Sequence, residues 1–484
     1  MLGRKQLLIG GEWRDASDAA TMPVINPATE EVIAEVASAS RADVDAAVEA
    51  ARAAFRGPWA QMPARERGRL IWKLAERMQE RLDELSRLET LHNGKPITES
   101  RHIEVPMAIE CLQYFAGWAD KIQGDTIPVK SSALVYTRRE PLGVVAAIVP
   151  WNFPLLLAMW KVAPALATGN TVILKPASQT PLTALLLGEI AVEVGLPAGV
   201  LNVLTGSGST AGQALVEHPG IDKIAFTGDT STGKNIMRSA AETLKHLTLE
   251  LGGKSPNIVF PDADLDAAIR GATVGIFYGK GEVCAAGSRL LVDRSIKQEF
   301  IDKVAARTKK MVAGDPLDPK TRLGAISSKG QLERVLRYVE VAKQEGASLV
   351  AGGSRTDIGT GKGYFMQPTV FADVTPEMTI AREEIFGPVL AAIEFGDVDE
   401  AIARANDSMY GLAAGIWTRD IRKAHYVASK LQAGTVWVNT YNVYDTAAPF
   451  GGYKQSGFGR ELGQHAIDYY TQTKTVWVDL SLLH

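Results

Sequence analysis

The chain has 484 residues, 46% hydrophobic and 22% charged, with a net charge of −3. That length implies roughly two to four domains able to bury large cores, and the near-neutral balance gives no electrostatic reason to expect nucleic acid or an anionic membrane as a partner. Two cysteines, Cys111 and Cys284, do not make a disulfide framework, and seven histidines show no HxxxH pairing or Cys/His cluster, so no metal site is predicted.

The first ten residues carry too short an apolar run for a secretory leader, which sets the expectation of a cytoplasmic protein. The first 120 residues read as mostly helical. Val44, Ala47, Val48, Ala51 and Phe55 keep one apolar face, and Ser40 with Asp43 offers a capping pair. Residues 126–139 read as an extended excursion. The stretch 144–167 is apolar enough to suggest a bilayer span, but Pro150, Asn152, Pro154 and Lys161 break it. A buried strand over 144–149, a turn, and a helix over 154–167 fit better.

Strands are then predicted at 171–174, 200–204 and 221–226, with helices at 182–194 and 233–241. Such βαβ units pack as a parallel sheet covered on both faces, the usual scaffold for a nucleotide. Gly206-Ser-Gly208-Ser-Thr-Ala211 follows a strand and opens a helix, a loose form of the dinucleotide fingerprint and by itself a weak signal. A second α/β region runs from about Leu251 to Gly452. The tail, 473–480, alternates as a strand that must find a partner in another segment or another subunit.

Three residues draw attention for chemistry. Cys284 lies among small neighbours in Gly281-Glu-Val-Cys-Ala-Ala-Gly-Ser-Arg289. It is either a buried small hydrophobe or a nucleophile, and a nucleophile needs a base and an oxyanion site. Glu250 opens Glu250-Leu-Gly-Gly-Lys-Ser-Pro256 and is either a solvated charge or that base. Asn152 sits between prolines where a buried strand ends; it is either a turn former or an amide donor to an oxyanion.

Taken in order, Pro150–Pro154, Lys175-Pro176, Phe226-Thr-Gly228, Glu250–Pro256, Cys284 in its glycine setting, Glu383-Glu-Ile-Phe-Gly-Pro388 and Pro449-Phe-Gly-Gly-Tyr-Lys-Gln-Ser-Gly457 resemble the aldehyde dehydrogenase superfamily. The likeness runs from Asn26-Pro27-Ala28-Thr29 to the terminal strand. It implies an α/β fold with a Rossmann-like cofactor domain (1–122 and 142–250), an α/β catalytic domain (251–458) and a small β oligomerisation arm (123–141 and 459–484). It implies oxidation of a small-molecule aldehyde to a carboxylic acid with NADP and/or NAD, in a homo-oligomer, dimer or tetramer. Cys284 resembles the nucleophile, Asn152 with the Cys284 backbone N–H the oxyanion hole, and Glu250 the base for the hydrolytic water. The cofactor resemblance extends to Trp151, Lys175, Ser178, Gly206, Thr227, Gly228, Asp229, Glu384 and Phe386. By position, Phe153, Leu157, Trp160, Tyr278, Val283 and Tyr444 should line the aldehyde tunnel.

That apolar, aromatic wall favours aliphatic or aromatic aldehydes; a semialdehyde or an amino-aldehyde is the alternative. A CoA-acylating enzyme would not need Glu250, and a protein keeping only the fold would not need all three of Cys284, Asn152 and Glu250. Two positions depart from the family's usual pattern. Glu282 replaces a Gln two residues before the cysteine, where a carboxylate facing the thiol would slow attack; it should point away or pair with Lys280. Asp229 replaces a Ser where a helix N-terminus should meet pyrophosphate, and would repel phosphate unless it caps the helix. Finally, Ser178 stands where NAD-preferring members commonly have Glu, so NADP should be accepted alongside NAD.

Overall fold

The computed structural model describes residues 2–481; Met1 of the leader reading and residues 482–484 of the tail lie outside them. Its largest sheet has eight strands in the order Gly457–Phe458, His246–Glu250, Lys223–Thr227, Val144–Ile148, Thr171–Lys175, Leu201–Val203, Leu7–Ile9 and Glu12–Arg14. The five from His246–Glu250 to Leu201–Val203 are parallel. Val144–Ile148, Thr171–Lys175 and Lys223–Thr227 are buried at every position, as expected for aliphatic strands covered on both faces. Val144–Ile148 comes first in the chain among these five. The next two strands add on one side of it, and the last two on the other. The sheet therefore reverses its direction of growth between Val144–Ile148 and Lys223–Thr227. The loops leaving those two strands diverge, and a crevice opens at their carboxyl ends.

The helix Pro154–Ala167 is buried at all fourteen positions, which accounts for its sequence, apolar except for Lys161, without a membrane. No helix among the described residues is long and apolar enough to cross a membrane. The helix predicted from 233 begins earlier, at Thr230, because the Asp229 carboxylate accepts from the N–H groups of Ser231 and Thr232 and starts it there.

The helical reading of the first 120 residues is corrected at its start. Five short strands fill residues 4–37, before Arg41–Arg56, the first of the helices. Leu7–Ile9 pairs with Leu201–Val203, nearly two hundred residues away, and Thr21–Asn26 pairs with Glu31–Ala37. Strands of two to seven residues with remote partners carry too little periodicity to be seen locally. The helix Arg41–Arg56 opens with the predicted capping box, Ser40 and Asp43 each bonding the other's backbone N–H.

A second sheet of seven strands runs Ser348–Ala351, Thr369–Ala372, Val389–Phe395, Arg289–Asp293, Pro256–Val259, Ala413–Trp417 and Thr435–Val438. A third, small sheet joins Thr126–Ile127, Ala133–Pro141 and Thr471–Asp479. The last two pair antiparallel along nine residues, so the late strand finds its partner within its own chain. Among the described residues its outer edge is unpaired, and Trp477 remains 63% exposed.

Candidate active site

The crevice of the first sheet and the face of the second meet at Cys284. The helix Leu265–Phe277 ends in the turn Tyr278–Gly281, and Cys284 follows three residues later. Gly281 (φ +72°) has no room for a side chain: a Cβ there would lie 2.3 Å from the Gly387 carbonyl carbon. The thiol is half-buried and borders two cavities at once. Burial pushes it up to about 12, and the carboxylates of Glu250 and Glu384 push the same way. The resting thiol is thus protonated at neutral pH, and attack requires that its proton be taken away.

The first cavity is a tunnel of about 350 Å³. Phe153, Leu157, Trp160, Tyr278, Val283 and Tyr444, the six residues expected there, all line it. Phe153 and Tyr278 stack at 6.2 Å, while Trp160, Tyr444 and Phe450 form a triangle of rings 5.4–6.3 Å apart. Ile103, Met107, Val274 and Val443 add to the wall, and among the described residues neither lysine nor arginine lines it.

Glu250 ends the strand His246–Glu250 and projects into this tunnel. Neither of its oxygens has a hydrogen-bond partner among the described residues. Burial and the nearby Glu461 carboxylate raise its pKa well above the ordinary carboxylate range, against Lys161, which lowers it. Lys161 and Glu461 form a buried ion pair, and Lys161 Nζ also donates to Thr227 Oγ1 at 2.7 Å. An unbonded, proton-retaining carboxyl beside a thiol is suited to exchanging protons with water.

Asn152 leaves the strand Val144–Ile148 in the turn that precedes Pro154 and borders the second cavity together with Cys284. Its Nδ2 donates to the Glu282 carbonyl at 2.9 Å. An amide has two N–H groups, so one is left for a ligand oxygen.

The second cavity is a cleft of about 150 Å³. It gathers Trp151, Thr227, Gly228, Asp229, Glu384 and Phe386 with Cys284 and Asn152. Trp151 and Phe386 meet edge to face at 5.2 Å. Glu384 accepts from the Gly253 N–H at 2.9 Å, and burial raises it to about 7. Lys175, Ser178 and Gly206 lie outside this cleft, at the ends of the neighbouring strands. Lys175 is buried, with its Nζ on the Pro176 carbonyl, and burial lowers it to about 8. Its stem runs past Gly212, at the end of the turn that Gly206 opens (φ +153°).

Both departures from the expected pattern find partners. Glu282 Oε2 lies 2.9 Å from Lys280 Nζ, and its Oε1 accepts from Ser327 N–H at 3.0 Å. Asp229 caps the helix Thr230–Ala240, while its carboxylate still borders the cleft. Sequence reasoning missed Lys161, Glu461, Gln331, Arg334 and Phe450. Only Lys161 carried a signal, a charge in an otherwise apolar helix that had to be paired.

The sequence matches the model of the aldehyde dehydrogenase family over residues 13–476. The human mitochondrial aldehyde dehydrogenase is 50% identical over 476 residues, 98% of this chain and 92% of that protein. An aldehyde dehydrogenase of Bacillus cereus, solved as an NAD+ complex, has the same fold with a TM-score of 0.97 at 51% identity, over 99% of this chain and 97% of that one. An indole-3-acetaldehyde dehydrogenase complexed with NAD+ matches with a TM-score of 0.97 at 46% identity, over 98% and 97%.

Proposed function

This chain belongs to the aldehyde dehydrogenase family and is an NAD(P)-dependent oxidoreductase, and we propose that it oxidises apolar aliphatic or aromatic aldehydes to carboxylic acids through a thioester on Cys284. The observation that carries this reading is the position of one thiol at the seam between an apolar tunnel and a polar cleft, with a free carboxyl on the tunnel side and an amide on the cleft side.

The cleft fits a nicotinamide dinucleotide. Trp151 and Phe386 offer aromatic rings, Glu384 offers a carboxylate for sugar hydroxyls, and beyond the cleft the buried Lys175, bonded to the Pro176 carbonyl, offers a cation. A nicotinamide bound there would supply a two-electron acceptor for the hydride of the carbonyl carbon. The chain's own residues do the rest. Cys284 Sγ bonds to that carbon as its S–H bond breaks and the proton passes to solvent water. The free N–H of Asn152 and the Cys284 backbone N–H hold the oxyanion that forms. After hydride leaves, a thioester remains. Glu250 accepts a proton from water, the water oxygen bonds to the carbonyl carbon, and the carbon–sulfur bond breaks as Glu250 returns that proton to the sulfur, releasing acid and thiol.

The cofactor reading centres on Ser178. A small hydroxyl there, with Lys175 nearby, leaves room for a 2′-phosphate, so NADP is used as well as NAD. The substrate reading rests on the tunnel. No cation lines it to hold an acidic semialdehyde, whereas its rings and the two carboxyls Glu250 and Glu461 suit an amino-aldehyde as second choice. Indole-3-acetaldehyde, the substrate named for one relative, has the aromatic character of the first choice. The experiment follows reduced cofactor by absorbance with a panel of aliphatic, aromatic, amino- and carboxy-aldehydes. The expected ranking puts the first two classes highest in kcat/KM, and a carboxy-aldehyde at the top would overturn it.

The same reading divides the chain into a cofactor-binding part (1–122 and 142–250), a catalytic part (251–458) and an arm (123–141 and 459–484). The free edge and exposed apolar residues of that arm, Leu134, Trp477 and Leu480, support a homo-oligomer, dimer or tetramer. Light scattering should give a multiple of the chain mass, and deletion after Thr473 should give monomers or aggregates. Two free thiols and no disulfide suit a reducing, cytoplasmic setting.

A further inference from the structure

Behind the Cys284 loop lies a cluster of buried charges that no step above uses. Lys95, Glu104, Lys280 and Glu282 are each 1% exposed, and Asn93 is fully buried. Charges so deep are retained only when paired and hydrogen-bonded on every side.

Lys280 is the pivot. Its ammonium donates to the Asn93 carbonyl at 2.9 Å and to Asn93 Oδ1 at 2.7 Å, and lies 2.9 Å from Glu282 Oε2. The ammonium is thus held by two hydrogen bonds to Asn93 and an ion pair with Glu282. Asn93 in turn donates from Nδ2 to the Trp151 carbonyl at 2.7 Å, and Lys95 donates to the Asn152 carbonyl at 2.7 Å. The Asn152 side chain closes the ring by donating to the Glu282 carbonyl. The circuit ties the loop carrying Cys284 to the turn carrying Asn152. It also reaches the tunnel: Lys95 pairs with Glu104, which accepts from the Tyr278 hydroxyl at 3.2 Å, and its ammonium lies 4.5 Å from the Phe153 ring centre.

The backbone shows why such a tether is needed. Gly279, Lys280 and Gly281 have φ of +55°, +62° and +72°, three left-handed residues in succession. Glycine adopts that region freely, but a lysine does not, and it stays there only where its surroundings impose it. The bonds of the Lys280 side chain to Asn93 and Glu282 are what impose it. Without them the loop has no local reason to keep this shape, and Cys284 lies only four residues on.

We propose that Lys280 and Glu282 are positioning residues that act as one buried pair, holding the Cys284 loop against Asn93 and so fixing the thiol relative to the Asn152 amide. This rests on the functional reading above. Removing one member leaves the other charge buried alone, whereas neutral amides at both positions could make the same bonds without charge. The pair must therefore be exchanged together.

The test compares Lys280→Gln, Glu282→Gln and the double variant K280Q/E282Q. Misplacing reacting groups by about 1 Å can cost on the order of a hundredfold. Each single variant should lose about tenfold or more in kcat per folded molecule, with little change in KM or in NAD affinity, and the double variant should recover most of the loss. Alkylation of Cys284 by iodoacetamide reads the loop without turnover, so it tests the pair even if no aldehyde is oxidised. Each single variant should change that rate severalfold, and the double should restore it. If a single variant does not fold, Asn93→Ala, which cuts the tether and leaves the pair, should show the same two losses. Single variants with wild-type kcat and alkylation rate would overturn the proposal. So would a double variant whose defects are the sum of the two singles. A wild type that reduces no cofactor while the alkylation pattern holds would instead refute the functional reading.

Discussion

The two cavities that share Cys284 are built in opposite ways. The tunnel is lined mainly by apolar side chains, Met107, Leu156, Leu157, Trp160 and Val274 from the helices Val105–Ala116, Pro154–Ala167 and Leu265–Phe277 and the others from the strand ends, turns and loops around them. The cleft is made of strand ends, glycine turns and one end of the helix Lys329–Gln344, where carboxylates, two amides and an arginine line the space. A wall of rings selects by volume and can be reshaped one side chain at a time. A wall of polar groups selects by charge, and each group there also holds part of the loop geometry. The contrast predicts large, indivisible effects at the seam, intermediate effects in the cleft and graded effects in the tunnel.

The seam should show the largest effect. Cys284→Ser should abolish turnover while cofactor binding, followed by fluorescence, is kept; residual activity above a few per cent would break the assignment of the thiol. Cys111→Ala is the control, because Cys111 is buried with its thiol on the Met159 carbonyl and should leave kcat nearly unchanged.

Next comes the tunnel-side carboxyl. Glu250→Gln should slow steady-state turnover by about 10²–10⁴-fold, the usual range for a proton-transfer group, and preserve a single burst of reduced cofactor. Because burial and Glu461 raise the pKa of Glu250 above the ordinary carboxylate range, thioester hydrolysis in the wild type should accelerate as pH rises and the base ionises. That rise should disappear in the variant. Loss of the burst as well would place Glu250 before hydride transfer and erase the division between the two sides of the thiol.

In the cofactor region, Ser178→Glu introduces a charge near the ribose. A unit-charge pair at about 4 Å is worth roughly 1 kcal/mol in water and 4 at intermediate dielectric. The NADP-to-NAD ratio of kcat/KM should therefore fall about tenfold or more. An unchanged ratio would mean that specificity is set elsewhere.

The tunnel should give the smallest change. Val283→Ala removes two methyl carbons' worth of wall beside the thiol, and a buried CH₂ is worth about 0.8 kcal/mol, or about fourfold. The preference for short over branched aldehydes should shift severalfold, read as a ratio of kcat/KM values with no change in cofactor preference. A shift in cofactor preference would show that the two cavities are not independent.

Much of this arrangement was legible before any coordinates. The six tunnel residues converge as expected because Leu157 and Trp160 lie on the helix Pro154–Ala167 with Phe153 at its N-cap, and Tyr278 and Val283 precede Cys284 closely in sequence. Trp151, Thr227, Gly228 and Asp229 gather because two neighbouring strands end there. Glu461 escaped notice because nothing near it in the chain marks it; its partner Lys161 is three hundred residues earlier. The opening strands escaped because each is stabilised by a segment far away or by a very short neighbour.

The sequence by itself determined the local units: strand, turn and helix in order, the Ser40–Asp43 cap, the capping role open to Asp229, and the residue types that thiol chemistry needs. These follow from periodicity and bonds within a few residues. Only the tertiary structure decided that Glu282 turns from the thiol to Lys280, that Asn93 holds the Asn152 turn, and that the late strand Thr471–Asp479 lies along Ala133–Pro141. Those outcomes are set by which segments the two sheets bring together, and a buried charge or a free strand edge states that it needs a partner without stating which.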